Sequence, residues 1–195
     1  MRKWNGRDCQ VMPWKNGGGS TTELAIFPPG ANLENFVWRL SSAYVESSGP
    51  FSHFAGVDRS LAILSGDGLI LHGHDEHGVP TRVRLDQGSQ AYRFPGELAI
   101  HAELCGGPVL DLNLMTRRDV CGHSMHRLAA GEYPLEATEE LQTLLYCVAG
   151  SATLPADEGL QAGDLVMLEE AGRRFQLRVY EGTILYLMNI RSRKR

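Results

Sequence analysis

Cationic and hydrogen-bonding side chains set among aromatic ones give this sequence its candidate chemistry. Arg59 is the first of them. A guanidinium presents a planar fork of donors that meets a carboxylate in bidentate fashion. Its neighbour Asp58 offers the plain alternative, an internal ion pair. Arg39 shares one strand face with Ser41, and that face looks either to solvent or into a pocket. Trp14, Lys15 and Asn16 precede Gly17, Gly18 and Gly19. Such a loop can bring backbone amides close to an anion, with Lys15 adding charge and Trp14 a flat wall; a flexible turn explains it as well. It is not a nucleotide phosphate loop, which needs Gly-Lys-Ser/Thr opening a helix. Asn113 alternates with Leu112 and Leu114, and Arg117 follows on the same segment. An inward-facing Asn113 needs a hydrogen-bond partner, from a ligand or from backbone. Phe51 and Phe54 could pack on a flat ligand. Together these residues suit recognition of an anion.

The histidines carry the competing chemistry. His53 beside an arginine could move a proton. It could equally be a hydrogen-bonding pocket residue or a structural one. A lone histidine does not make a metal centre, because catalytic sites usually have three protein ligands; His53 with His101 would make two. The run His72-Gly73-His74-Asp75-Glu76-His77 reads as a polar hairpin loop.

The elements that must position these residues are strands. Glycine and proline, 22 and 9 in number, are spread along the chain between short β-branched and aromatic runs, a pattern of many strands and turns. Residues 36–45 alternate as a half-buried strand does. Leu61–Leu64, Ser65–Gly68 and Leu69–Leu71 read as strand, tight turn and strand. Residues 109–115 form another alternating strand. A single helical turn is expected, at Leu135–Leu141. Residues 144–154 repeat the strand, glycine turn, strand design of 61–69, so two similar all-β units are expected. Their bounds are 1–118, holding the pocket, and 119–195, a structural copy.

At 195 residues the chain is long enough for such a pair. A net charge of −4 points away from nucleic acid and anionic membrane. The basic run Arg191–Arg195 reads as a solvated tail. No apolar run reaches the roughly 20 residues of a membrane span. Met1–Asn5 leads into no apolar signal core, so a cytoplasmic location is expected. Cys9, Cys105, Cys121 and Cys147 are spaced too widely for a zinc knuckle or a small disulfide framework; all four are expected buried and reduced.

Residues 49–69 resemble the first cupin motif, with His53 at its first histidine, Ala55 at its second, Arg59 at its glutamate and Gly66 at its closing glycine. Pro95-Gly96 resembles the second motif, and Leu160-Gln161-Ala162-Gly163-Asp164 the L-x-x-G-D entry to a cupin strand. Met12–Leu24, Trp38–Ala43, Ser48–Phe54, Phe94–Glu97 and Asp111–Arg118, in that order, resemble the HutD/Ves family over nearly the whole chain. The resemblance implies an all-β bicupin of two jelly-roll barrels, and a setting in histidine utilisation. It turns Arg59 inward and tilts Arg39 and Ser41 to the pocket. The expected ligand contacts are Trp14, Lys15, Asn16, Arg39, Ser41, Phe51, His53, Arg59, Asn113 and Arg117. The expected protein is a binding, regulatory one whose ligand is urocanate or a related small carboxylate, with no cofactor or metal and with a homodimer allowed. The alternatives are a cupin enzyme, metal-dependent or metal-free, and a pure interaction module.

Overall fold

The computed structural model describes residues 2–5, 9–75, 77–155, 158–168, 172 and 174–193. Every regular element among them is a strand, and the chain divides into two compact units, Gln10–Val120 and Cys121–Arg195 with Met1–Cys9. The opening strand β1 (Arg2–Asn5) pairs with a strand of the second unit, so it does not join the first barrel as the expected 1–118 division places it.

Ten strands build the first unit. They are β2 (Val11–Pro13), β3 (Gly19–Phe27), β4 (Trp38–Val45), β5 (Gly49–Pro50), β6 (Val57–Ser65), β7 (Leu69–His74), β8 (Pro80–Leu85), β9 (Tyr92–Pro95), β10 (His101–Leu104) and β11 (Val109–Arg117). One sheet has the order β2-β3-β4-β11-β6-β9 and the other β5-β10-β7-β8. Their apolar faces share a core of Val45, Leu61, Ile63, Leu69, Leu71, Phe94, Ile100 and Val109. Strand β11 is the keystone, because it pairs along its length with β4 on one side and β6 on the other.

The second unit contains β12 (Cys121–Leu128), β13 (Gly131–Glu136), β14 (Leu141–Ala149), β15 (Ser151–Leu154), β16 (Glu158–Gln161), β17 (Asp164–Leu168), β18 (Arg174–Val179) and β19 (Ile184–Ser192). Its sheets run β1-β17-β14-β19-β12 and β13-β18-β15-β16. The pairing repeats that of the first unit: β14 with β17 and β19 corresponds to β6 with β9 and β11, and β15 with β16 and β18 to β7 with β8 and β10. Even the bulge recurs, at Leu64 in β6 and at Val148 in β14.

No helical turn forms at Leu135–Leu141. Leu135 and Glu136 close β13, and Leu141 opens β14. Leu135 pairs with Phe175 across the sheet, and this ladder outweighs the helix preference of a segment too short to stand alone. Cys9 and Cys105 are partly exposed, which corrects the expectation that they are buried; Cys121 and Cys147 are buried, and none of the four is in a disulfide. Arg191 and Ser192 belong to β19 and not to a loose tail, while Lys194 and Arg195 lie outside the described residues.

The turn from β6 to β7 depends on glycine. Gly68 has φ +90°, and a Cβ there would sit 2.3 Å from the Leu85 carbonyl oxygen. We expect Gly68→Ala to lower unfolding free energy by about 1–3 kcal/mol in urea denaturation. Gly107→Ala meets open space at an ordinary φ, and is expected to be neutral or slightly stabilising.

Candidate functional site

Side chains on one face of β11 and its two neighbours line a cavity of about 560 Å³ inside the first unit. The register sets their order. Met115 pairs with Arg39 on β4 and with Arg59 on β6, so two guanidiniums flank β11 on a single rung. Adjacent strands lie about 4.8 Å apart, which puts the two α-carbons roughly 10 Å apart. Two residues along β11, Asn113 pairs with Ser41 and Leu61; two further, Asp111 pairs with Ala43 and Ile63. Residues of like parity on a strand share a face, so Asp111, Asn113 and Met115 all border the cavity. Gly49 and Pro50 of β5 and Ala102 of β10 reach it from the facing sheet.

The two arginines differ in their partners. Arg39 donates from Nε to Glu23 (2.8 Å) and from Nη1 to Ser41 Oγ (3.2 Å), so its charge is largely matched. Arg59 is 5% exposed and donates from Nη1 to the Ser52 carbonyl at 3.2 Å, while its Nε has no partner. No carboxylate of a described residue forms an ion pair with it. Its guanidinium lies instead over the rings of Phe51 (4.9 Å), Phe94 (5.2 Å) and Phe54 (5.7 Å). Cation–π attraction offsets part of the desolvation cost without neutralising the charge. Burial drives the Arg59 pKa down to about 10, with Asp111 opposing the shift.

Asp111 is 2% exposed, and its Oδ1 accepts the Ala43 N–H at 3.0 Å. Burial pushes its pKa up to about 7, against the pull of that hydrogen bond and of Arg59. Asn113, 8% exposed, has an Oδ1 with no donor. The cavity therefore contains a cation lacking an anion, an acceptor lacking a donor and a carboxyl poised to hold a proton, between apolar walls that include Trp14, Phe51, Phe54 and Met115.

Of the residues predicted from sequence, Trp14, Lys15, Asn16, Arg39, Ser41, Phe51, Arg59 and Asn113 come together around this cavity. His53 does not. It is exposed on the irregular stretch after β5, where strand parity no longer applies, and it is absent from the cavity wall. Arg117 does not either. Its guanidinium donates to the carbonyls of Phe36 and Glu34 and lies 5.2 Å over the Phe36 ring, so it fastens the loop before β4. The glycine loop offers less to an anion than expected, because Gly17 donates to the Trp14 carbonyl and Gly18 to Asn16 Oδ1. Gly19 is needed for close approach, since a Cβ there would lie 2.2 Å from the Tyr44 carbonyl oxygen. Asp58, the sequence-level rival partner for Arg59, faces the other way and pairs with Arg118 (2.7 Å) and Arg93 (2.5 Å).

Asp111 and Glu23 are the residues that sequence reasoning missed. The signal for Asp111 was present: the alternation that turns Asn113 inward turns Asp111 inward too. Glu23 gave no such signal, because the β3 register shifts between Glu23 and Ala25.

Histidines gather away from this cavity. His101 is exposed on β10 opposite His72, and His72 Nε2 lies 2.7 Å from Glu103. His72, His74 and His77 border a smaller cavity of about 220 Å³, and Glu76 of the same run lies outside the described residues. Among the described residues no group of three or more His, Cys, Asp or Glu is placed to hold a metal ion, and no helix is long and apolar enough to cross a membrane.

Comparison with known proteins matches residues 6–187 to the HutD family model. An uncharacterised 21.2 kDa protein in the hutC 3′ region of Pseudomonas putida is 43% identical over 109 residues, 56% of this chain and 54% of that protein. Protein Ves of Citrobacter koseri is 37% identical over 118 residues, 58% of each chain. The chain thus spans somewhat over half the length of these curated relatives. The structure of HutD from Pseudomonas fluorescens SBW25, in a formate condition, superposes with TM-score 0.83 at 28% identity over 99% of both chains. The conserved protein PA5104 of Pseudomonas aeruginosa PAO1 gives 0.84 at 30% over 98% of both. Oxalate decarboxylase of Lactobacillus farciminis, at 9% identity and TM-score 0.69 over 97% of this chain and 85% of its own, shares the fold alone. The all-β cupin-like architecture expected from the motifs is the one observed.

Ionisation of Asp111 should be visible in stability. A carboxyl whose pKa is higher folded than unfolded binds more protons in the native state between the two values, so stability falls as pH rises through that window. For Asp111 the window runs from an ordinary 3.8 to about 7. In thermal unfolding, Asp111→Asn is expected to exceed the parent in Tm at pH 8, with the gap closing toward pH 4.

Proposed function

The chain belongs to the HutD family, and on that footing we propose that its first unit is a binding site for a small carboxylate, with urocanate the first candidate. The observation that carries this reading is Arg59: a buried guanidinium with a free Nε, framed by three aromatic rings and facing a cavity. A buried charge without a partner is costly. A ligand carboxylate would supply the missing acceptor through charge-assisted bonds. Asn113 Oδ1 asks for a donor in the same space. An imidazole N–H a few atoms from a carboxylate meets both demands, and a planar conjugated acid suits walls of Trp14, Phe51 and Phe54.

The protein acts by binding, as a regulator of histidine catabolism. It depletes a metabolite or presents a ligand-dependent surface to a partner, in the cytoplasm and with a homodimer allowed. The Pseudomonas putida relative, named for its place in the hutC 3′ region, supports that setting.

Binding to the native state alone raises Tm by mass action, so urocanate is expected to stabilise the parent protein in a thermal-shift titration. Arg59→Ala should weaken binding by about ten- to a hundredfold, equivalent to roughly 1.5–3 kcal/mol for one charge-assisted contact. Arg59→Lys should recover only part of it, since an ammonium keeps the charge without the fork. Undiminished binding by Arg59→Ala, measured by calorimetry, would refute the assignment.

A second prediction uses the empty space. Ala43 lines the cavity beside Asp111, and its topological counterpart in the second unit is Leu128. Ala43→Leu should leave the fold intact and abolish urocanate binding by occupying the site. An unchanged dissociation constant would move the ligand elsewhere.

A further inference from the structure

The two units share one pairing scheme, so each cavity residue has a counterpart fixed by register. Aligned on their common bulge, Asp111 corresponds to Leu185, Asn113 to Leu187, Arg59 to Thr143 and Arg39 to Ser124. In the second unit Leu185 belongs to a closed apolar core with Leu128, Leu145 and Cys147, and Leu187 packs against it. The fold is therefore complete with leucine at the position of Asp111. An aspartate there needs a reason other than the fold.

The surroundings of Asp111 narrow that reason. From β4 it receives the Ala43 N–H; on β6 its cross-strand neighbour is the apolar Ile63; from the facing sheet the cavity wall is Gly49, Pro50 and Ala102. The charged groups around the same space are Arg59 on β6, Arg39 on β4 with its partner Glu23 on β3, and Lys15 at the exposed rim. Glu23 already answers Arg39. Asp111 and Arg59 are thus the remaining opposite charges, both buried, and they form no ion pair within 4 Å among the described residues. A ligand carboxylate that reaches Arg59 takes over the role of its counter-charge. It also sets a second anion in the cavity that Asp111 borders, where one anion raises the cost of ionising the other.

We propose that Asp111 is a specificity-determining residue of this cavity, which admits a monocarboxylate on Arg59 together with one proton on the Asp111 carboxyl. The inference rests on the carboxylate-binding reading above. The proton comes from solvent. The ligand's carboxylate remains ionised against Arg59, and the neutral Asp111 carboxyl gains an O–H that can donate while Oδ1 keeps the Ala43 N–H. Asp111 already holds its proton unusually tightly, with a pKa of about 7, and the bound anion raises it further. Uptake is then largest above neutral pH, where the free carboxyl is ionised.

Calorimetry with urocanate between pH 7 and 9 tests this. Above an ordinary imidazole pKa of about 6.5 the ligand's ring is neutral, so protons taken up belong to the protein. Titrations in phosphate and in Tris, whose ionisation enthalpies differ, count them. We expect uptake approaching about one proton per ligand at pH 8–9, and affinity falling by up to about tenfold per pH unit across this range. Asp111→Asn should remove the uptake and flatten the profile. Uptake that persists in Asp111→Asn, or a parent affinity constant within about twofold from pH 7 to 9 with no proton uptake, would overturn the Asp111 inference and leave Arg59-dependent binding standing. Failure of urocanate to bind at any pH would overturn both. The parent's proton count decides the matter even if Asp111→Asn does not fold.

Discussion

Strand parity holds Arg59 inside the barrel. Val57, Arg59, Leu61 and Ile63 share one face of β6, and the apolar three are 0–2% exposed. Turning Arg59 to the other face would mean slipping the strand by one residue and replacing them all with Asp58, Ser60, Ala62 and Leu64. The charge is thus trapped by the packing of its neighbours, and the local structure is arranged around it. Phe51, Phe54 and Phe94 offer ring faces, and Ser52 a carbonyl. Phe51 and Phe94 also stack on each other at 6.2 Å, which fixes the frame. These contacts hold the guanidinium in place and leave Nε without an acceptor. On the proposed reading this is a preorganised anion site, in which little ordering is left for a ligand to impose.

The second unit shows what the same topology does without that constraint. Its interior closes on leucines, and where the first unit carries Arg59 and Met115 it has Thr143 and Asn189, which bond each other at 3.0 Å. A polar pair that satisfies itself needs no ligand. In the first unit the equivalent pair is a charged Arg59 beside an apolar Met115, and a small Ala43 leaves room where Leu128 fills it. The cavity arises from a few substitutions on three adjacent strands, not from a different fold.

Strand phase was legible in the sequence, and so was most of the cavity. The alternation in residues 36–45 put Arg39 and Ser41 on one face but left solvent or interior undecided; the facing strands β5 and β10, across the cavity, decide it. Arg59 was placed by a motif position rather than by periodicity, since β6 is buried on both faces and shows little alternation. His53 and Arg117 were lost where parity gives out, in the irregular stretch after β5 and at the end of β11. Asp111 was missed for another reason. An aspartate in an alternating strand reads as solvent-facing by habit, although its phase was the same as that of Asn113. The partnership of Glu23 with Arg39 depends on a register shift in β3, and a bulge leaves no trace in hydrophobic patterning.

On the proposed reading, charge accounting sets which acids the cavity admits. Arg39 with Glu23 is neutral, and Lys15 sits at the exposed rim where water screens it. In the interior this leaves Arg59 against Asp111. With Asp111 protonated the deep site has one positive charge and matches one carboxylate. A dicarboxylate would bring a second negative charge into the space lined by Asp111, Asn113 and Met115, where the other lining cations are Arg39, already matched by Glu23, and Lys15 at the exposed rim. The asymmetry is steep, because an unpaired charge in a water-poor cavity is far more costly than one left at the surface. On the proposed reading, the site distinguishes acids by charge first and by shape second, with the aromatic walls grading those that pass.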